Sequence, residues 1–175
     1  MLFRSKCIEI IKPKKVYVFS SIDDGDYDNL KCDVMKVDLN SLILQTGCNV
    51  HDIYEQMEDK CLAVFDDILS FDNKILKLYI KLRQQCLAVG RHKGLSTICI
   101  EQQARNREKT RDVLLNSEIF IFFPKASFVS FQKTASEYLG LNKEQINKLK
   151  ENSRYVSIDK RFPSYAVREH NIDLL

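Results

Sequence analysis

Two adjacent carboxylates follow an apolar run in the stretch CLAVFDDI, Cys61 to Ile68. Asp66 and Asp67 at the tip of such a strand suit Mg2+, a hard cation that takes oxygen ligands. In phosphoryl transfer the first acid of such a pair holds the metal, often through water, and its neighbour orients or deprotonates the attacking water. The plain alternative is that Asp67 caps the helix or turn that follows.

A second polar tip follows the apolar run LSTICI: Glu101, Gln102 and Gln103. A side chain there can sense a γ-phosphate or position water, although strands also commonly end in polar residues. Asp66, Asp67 and Glu101 together would equally suit a metal-dependent nuclease. Cations gather on both sides of it, with Arg91, Lys93, Arg105, Arg107, Lys109 and Arg111 against Glu101 and Glu108. Arginine offers phosphate a planar fork of donors. These residues can contact DNA phosphates, reach a nucleotide in a neighbouring subunit, or simply form a solvated face. In DDGDYD, Asp24, Asp26 and Asp28 mimic the start of a calcium loop, but Asn29 stands where Gly is required and Met35 where the closing Glu belongs. That stretch reads as an acidic turn. His51, His92 and His170 assemble no hydrolase triad from sequence.

The elements that would position these residues alternate between strand and helix. Residues 2–12 carry a helical apolar pattern stopped by Pro13, and KVYVFSS reads as a strand. A short strand is expected at 34–39 and a short helix at 49–58. CLAVFDDI shows no alternation, as in a strand buried on both faces of a parallel sheet. Ile75, Tyr79, Leu82, Cys86 and Val89 recur at steps of three and four, giving an amphipathic helix that Gly90 would close. LSTICI at 95–100 and EIFIFF at 118–123 read as two more buried strands, with helices at 107–116, 126–139 and 142–151. Two short strands around a Phe-Pro turn end the chain. The expected fold is α/β, with a three-layer, mostly parallel sheet and a C-terminal β-hairpin. In such sheets ligands bind beyond the carboxyl ends of the strands.

A length of 175 residues suggests one domain, and 45% hydrophobic with 29% charged residues is ordinary for a globular chain. A net charge of +3 leaves any nucleic-acid surface to local clustering. The six cysteines form no C-x-x-C pair and read as reduced, mostly buried groups, with no zinc site. No apolar run approaches a membrane span, and the N-terminus shows no cleavage site. A cytoplasmic protein without membrane contact is expected.

Taken in order, KKVYVFSS, CLAVFDDI, AVGRHKGLSTICIEQQ, REKTRDVLLNSEIFIFFPK and SRYVSIDKRFPSYAV resemble the packaging-type ATPases of large DNA viruses. That group is similar to the poxvirus packaging ATPase and belongs to the FtsK–HerA branch of P-loop NTPases. The resemblance implies ATP hydrolysis coupled to DNA movement, with Mg2+ and ATP as cofactors, DNA as partner and a homo-oligomeric ring. It places the Walker B magnesium ligand at Asp66, the water-polarising acid at Asp67 and a polar position near Gln102, where the family often has His. It gives Arg91 and Arg111 roles across subunits or on DNA, and Arg105, Arg107 and Lys109 fall in the same basic stretch.

One departure is large. None of the five glycines (Gly25, Gly47, Gly90, Gly94, Gly140) belongs to a phosphate loop G-x-x-x-x-G-K-[ST]. Residues 2–20 match the helix and strand that follow the loop in the family. The strand feeding the loop is also missing; in this class it lies between the strand ending in EQQ and the last core strand. The expectation is therefore a Walker-B-bearing portion that does not hydrolyse ATP alone. It would be a truncated reading of a longer protein, a decayed copy, or one part of a two-chain assembly. A non-catalytic DNA-binding or structural protein on the same scaffold is the rival.

Overall fold

Strand β3, Leu62–Asp66, is buried along its whole length. In the computed structural model it pairs in parallel with β1 (Lys15–Ser20) on one side and β4 (Ser96–Ile100) on the other. β2 (Asp33–Lys36) adds to β1, so the sheet runs β2-β1-β3-β4. The structure describes residues 9–22, 27, 30–101, 107–126, 128–150 and 154–175, with the backbone alone at 107–109. The chain packs as two units, Met1–Gln102 and Gln103–Leu175.

Period-two alternation divides the first unit into two layers of contact. Tyr17, Phe19, Ala63 and Phe65 point to one face, where they meet Leu39, Val50, Ile53, Tyr54, Leu76, Tyr79, Leu82 and Cys86. Phe19 stacks on Phe65 with centroids 4.7 Å apart. The helices on this face are α1 (Leu39–Thr46), α2 (Val50–Gln56) and α3 (Asn73–Val89). Each begins at a side-chain cap. Asp38 accepts from the amides of Asn40 and Ser41, Asn49 and Asp52 form a capping box, and Asp72 accepts from Lys74 and Ile75. The other face holds Val16, Val18, Leu62 and Val64 with Tyr27, Ile98 and Ile100.

Several expectations are corrected here. α1 occupies the end of the strand expected at 34–39 and residues to which no element is assigned above, and its sequence signal is the Asp38–Ser41 cap. Gly90 closes α3 as expected, its amide donating to the Cys86 carbonyl, but not through a left-handed turn. It keeps right-handed helical geometry (φ −55°) and opens a 3-10 turn, Gly90–Lys93, that ends at left-handed Gly94 (φ 65°). Gly90 serves close packing instead, since a Cβ there would lie 2.9 Å from Leu95 Cδ2. β4 is half-buried along its length rather than a buried strand, because it ends its sheet.

The second unit carries α4 (Arg107–Asn116), β5 (Ile119–Phe122), α5 (Phe128–Leu139), α6 (Lys143–Lys150), β6 (Val156–Asp159), β7 (Tyr165–Arg168) and β8 (Ile172–Leu174). These four strands form an antiparallel sheet in the order β5-β6-β7-β8. Its core is Phe131, Ala135, Leu141, Ile146, Leu149, Val156, Ile158 and Ala166. β5, expected as a buried strand of the parallel sheet, instead pairs antiparallel with β6 and leaves Ile119 49% exposed. Like β4 it stands at a sheet edge, where among the described residues one row of backbone groups has no strand beside it. The C-terminal segment makes three strands, one more than expected, with a cis peptide bond between Phe162 and Pro163.

Candidate active site

The carboxyl edge of the parallel sheet gathers the acids. The parallel register sets Ser20 beside Asp66 and Asp66 beside Ile100. Asp66 is 8% exposed, and its Oδ2 accepts a 2.7 Å hydrogen bond from the hydroxyl of Tyr27, itself 2% exposed. Glu101, one residue past Ile100, meets Nη1 of the fully buried Arg83 at 2.5 Å.

Asp67 does not cap the turn after it. It occupies the N-cap position of the 3-10 turn Ile68–Ser70, yet its side chain makes no capping bond. Its backbone is held instead. The Asp67 amide donates to the Ile100 carbonyl at 3.1 Å. Its carbonyl accepts from the Ser70 amide at 3.2 Å, the Ser70 hydroxyl at 2.6 Å and the Ser21 hydroxyl at 3.2 Å. These bonds stabilise a left-handed backbone (φ 49°, ψ 36°) that a non-glycine residue adopts at a cost of about 1–3 kcal/mol. A left-handed backbone thus holds Asp67 at the strand tip, with no capping bond from its side chain.

A pocket of about 410 Å3 lies at the same edge, beyond β1 and β2. Val18, Val37, Ile75, Phe71 and Tyr79 form its apolar wall, and Ser20, Tyr27, Lys36 and Asn40 contribute polar atoms. The Phe71 and Tyr79 rings stack at 4.4 Å.

The other expected residues fall elsewhere. Arg91 is exposed in the 3-10 turn after α3, at the amino edge of the sheet, where Lys60 precedes β3 and its amide donates to the Lys93 carbonyl. The five residues of β3, at ~3.3 Å each, separate that edge from Asp66. Arg91 and Asp66 are thus not brought together within one chain. Lys93 is corrected from the basic surface to a structural part. Its Nζ donates to the carbonyls of Tyr54 (3.3 Å) and Glu55 (2.8 Å) at the end of α2, where a cation complements the helix dipole. Gln102 and Arg105 lie outside the described residues. Arg107 and Lys109 lie on α4 with only their backbone described, and Arg111 is exposed on that helix. The acidic turn is described only at Tyr27, and that tyrosine is the residue sequence reading overlooked. No pattern of types or spacing marked it.

Two carboxylates at one strand tip fit Mg2+ in donor chemistry, since that ion takes one or two protein carboxylates and leaves its other positions to water and phosphate oxygens. Among the described residues no group of three His, Cys, Asp or Glu is arranged to hold a metal. The described cysteines are free thiols, and burial pushes the Cys86 thiol up to about 12, which keeps it protonated and inert. Among the described residues no helix is long and apolar enough to cross a membrane.

No family model matches the chain. An uncharacterized protein V3 from Sputnik virophage is 25% identical over 179 residues, covering 95% of this chain and 67% of that protein. The crystal structure of B204, the DNA-packaging ATPase from Sulfolobus Turreted Icosahedral Virus, aligns with a TM-score of 0.53 at 13% identity. That alignment covers 98% of this chain and 87% of B204. The genome packaging NTPase B204 of Sulfolobus turreted icosahedral virus 2, solved with sulfate, aligns at 0.51 with 14% identity over 96% of this chain and 84% of that one. The mixed α/β architecture described above is therefore the fold seen in viral genome-packaging NTPases.

Proposed function

We propose that this chain carries the metal-and-water half of a viral genome-packaging ATPase, in which ATP hydrolysis drives DNA movement. The observation that carries this reading is the Asp66–Asp67 tip: a buried, hydrogen-bonded carboxylate followed by a strained one, at the carboxyl edge of a parallel sheet, in a fold shared with B204. Asp66 would hold Mg2+, which when bound offsets the charge of the β- and γ-phosphates. Asp67, with its backbone pinned by Ile100, Ser21 and Ser70, would orient the attacking water and accept its proton. Gln102 would sense the γ-phosphate or position water.

Arg91 lies at the far edge of its own sheet, so its cation would serve the site of a neighbouring copy in a homo-oligomeric ring. Arg105, Arg107, Lys109 and Arg111 would contact DNA phosphates. The setting is the virus factory, host cytoplasm or virion.

The phosphate cradle is the part the 175 residues lack. β4 and β5 are the two strands between which the loop-bearing strand is expected, and each ends its own sheet. Both are apolar edges, SxIxI and IFIF, without the lysine or proline that commonly guards an edge. A strand supplied from outside these residues would add to the outer edge of β4 and bring the loop beside Asp66. Co-expression of this chain with a segment carrying an apolar strand and G-x-x-x-x-G-K-[ST] tests the reading. The expected result is a stable complex with Asp66-dependent ATP hydrolysis. A segment that binds neither edge, or hydrolysis indifferent to Asp66→Ala, contradicts it.

A non-catalytic DNA-binding role is the second reading, favoured by the exposed Arg111 on α4 and the missing loop. It predicts salt-dependent DNA binding that nucleotide leaves unchanged. The nuclease reading needs Glu101 as a third ligand, and the ion pair to buried Arg83 speaks against that.

A further inference from the structure

We propose that Tyr27 is a positioning residue for the metal-binding carboxylate of Asp66. This inference rests on the reading of Asp66 as a metal ligand and adds a residue to that site. Nothing in the sequence singles out Tyr27 beyond its place in an acidic turn. The structure isolates it by three observations. Its ring is buried against the face of β1 and β3 that carries Val16, Val18, Leu62 and Val64. Its hydroxyl reaches across 39 residues of sequence to donate to the Asp66 Oδ2 at 2.7 Å. Donor and acceptor are both nearly out of water, at 2% and 8% exposure.

The physical consequence concerns direction. A strand-end aspartate has a broad, two-fold χ2 torsion, so its carboxylate plane is not set by its own rotamer. A phenol donor on Oδ2 fixes that plane and thereby the lone-pair directions of both oxygens. Carboxylates that hold metals are commonly hydrogen-bonded in this way, and losing the outer partner typically weakens metal affinity 10- to 100-fold. The alternative, that Tyr27 only fills space under the turn, needs the ring and not the hydroxyl. Tyr27→Phe separates the two, because it keeps the buried ring and removes one oxygen.

Mn2+ is the probe, titrated into the purified chain without nucleotide and read by paramagnetic broadening of the Asp66, Asp67 and Ile100 amide signals. The wild-type chain is expected to show saturable broadening that Asp66→Asn abolishes. Tyr27→Phe is expected to need at least tenfold more Mn2+ for half-broadening. Para-aminophenylalanine at position 27, which restores an N–H donor at the ring tip, is expected to recover most of the affinity. That recovery distinguishes positioning from packing, and it also serves if Tyr27→Phe fails to fold. Broadening lost in Asp66→Asn but unchanged in Tyr27→Phe overturns this inference and leaves the metal reading intact. Broadening indifferent to Asp66→Asn overturns both.

Discussion

Arg83, fully buried on α3, is ion-paired to Glu101 at the tip of β4, and this pair ties the helix to the strand edge beside Asp66. Breaking one half of a buried pair leaves the other charge in a poorly solvated place, which typically costs 3–5 kcal/mol. Arg83→Met is therefore expected to destabilise the chain by about 3–5 kcal/mol in urea unfolding. The double variant Arg83→Met with Glu101→Met is expected to lose much less. Equal losses in the two variants would show that the pair itself is not what is broken.

Asp159 gives the second unit a pH dependence. Hydrogen bonds from the Arg161 side chain (Nε to Oδ1, 2.9 Å), then from the Arg161 amide, hold its carboxyl down to about 2. An unfolded aspartate titrates near ~3.9. The folded value is the lower, so the contribution is fully present above about pH 4–5 and is lost as pH falls toward 2. Asp159→Asn is expected to flatten the acid limb of a stability curve over that window and to leave the slope near neutrality alone. A variant curve parallel to wild type down to pH 2 would contradict this.

The edges of the two sheets predict a pattern of hydrogen exchange. β3 lies between two strands, and its amides are expected to exchange only through global opening. β4 and β5 have a strand on one side, so alternate amides are expected to exchange orders of magnitude faster. Adding the strand-and-loop segment should slow that fast set selectively. Uniform protection across β4 in the isolated chain would mean its outer edge is already covered.

The basic stretch predicts a salt response. If Arg105, Arg107, Lys109 and Arg111 each meet a phosphate, Arg111→Gln should lower the slope of log K against log salt by roughly 1, at similar cost for any DNA sequence. An unchanged slope with weaker binding would place Arg111 outside the interface.

Legibility in the sequence followed burial. β3 was legible because a strand covered on both faces must be apolar throughout, and its two acids then mark where the sheet ends. α3 was legible from its three-and-four spacing. β4 and β5 have the same composition as buried strands, and which strand lies beside them is decided by pairing with distant segments, so their edge positions were not written locally. α1 carried a readable cap in Asp38 and Ser41 but too weak an apolar stripe to stand out. Gly90 and Gly94 differ only in backbone geometry, which the residue type leaves open. Tyr27 was invisible because its role is one hydrogen bond across 39 residues. Asp66, Asp67 and the order of motifs around them were enough to point to the fold now seen in B204.

The central claim is that this chain holds the metal-and-water half of a nucleotide site and lacks the phosphate half. ATP hydrolysis by the purified 175-residue chain, with Mg2+ and with or without DNA, measures it most directly. No turnover above the Asp66→Ala background is expected until a loop-bearing segment is supplied. Turnover by the chain alone that disappears on Asp66→Ala would show that another part of these residues cradles the phosphates, and would contradict the account.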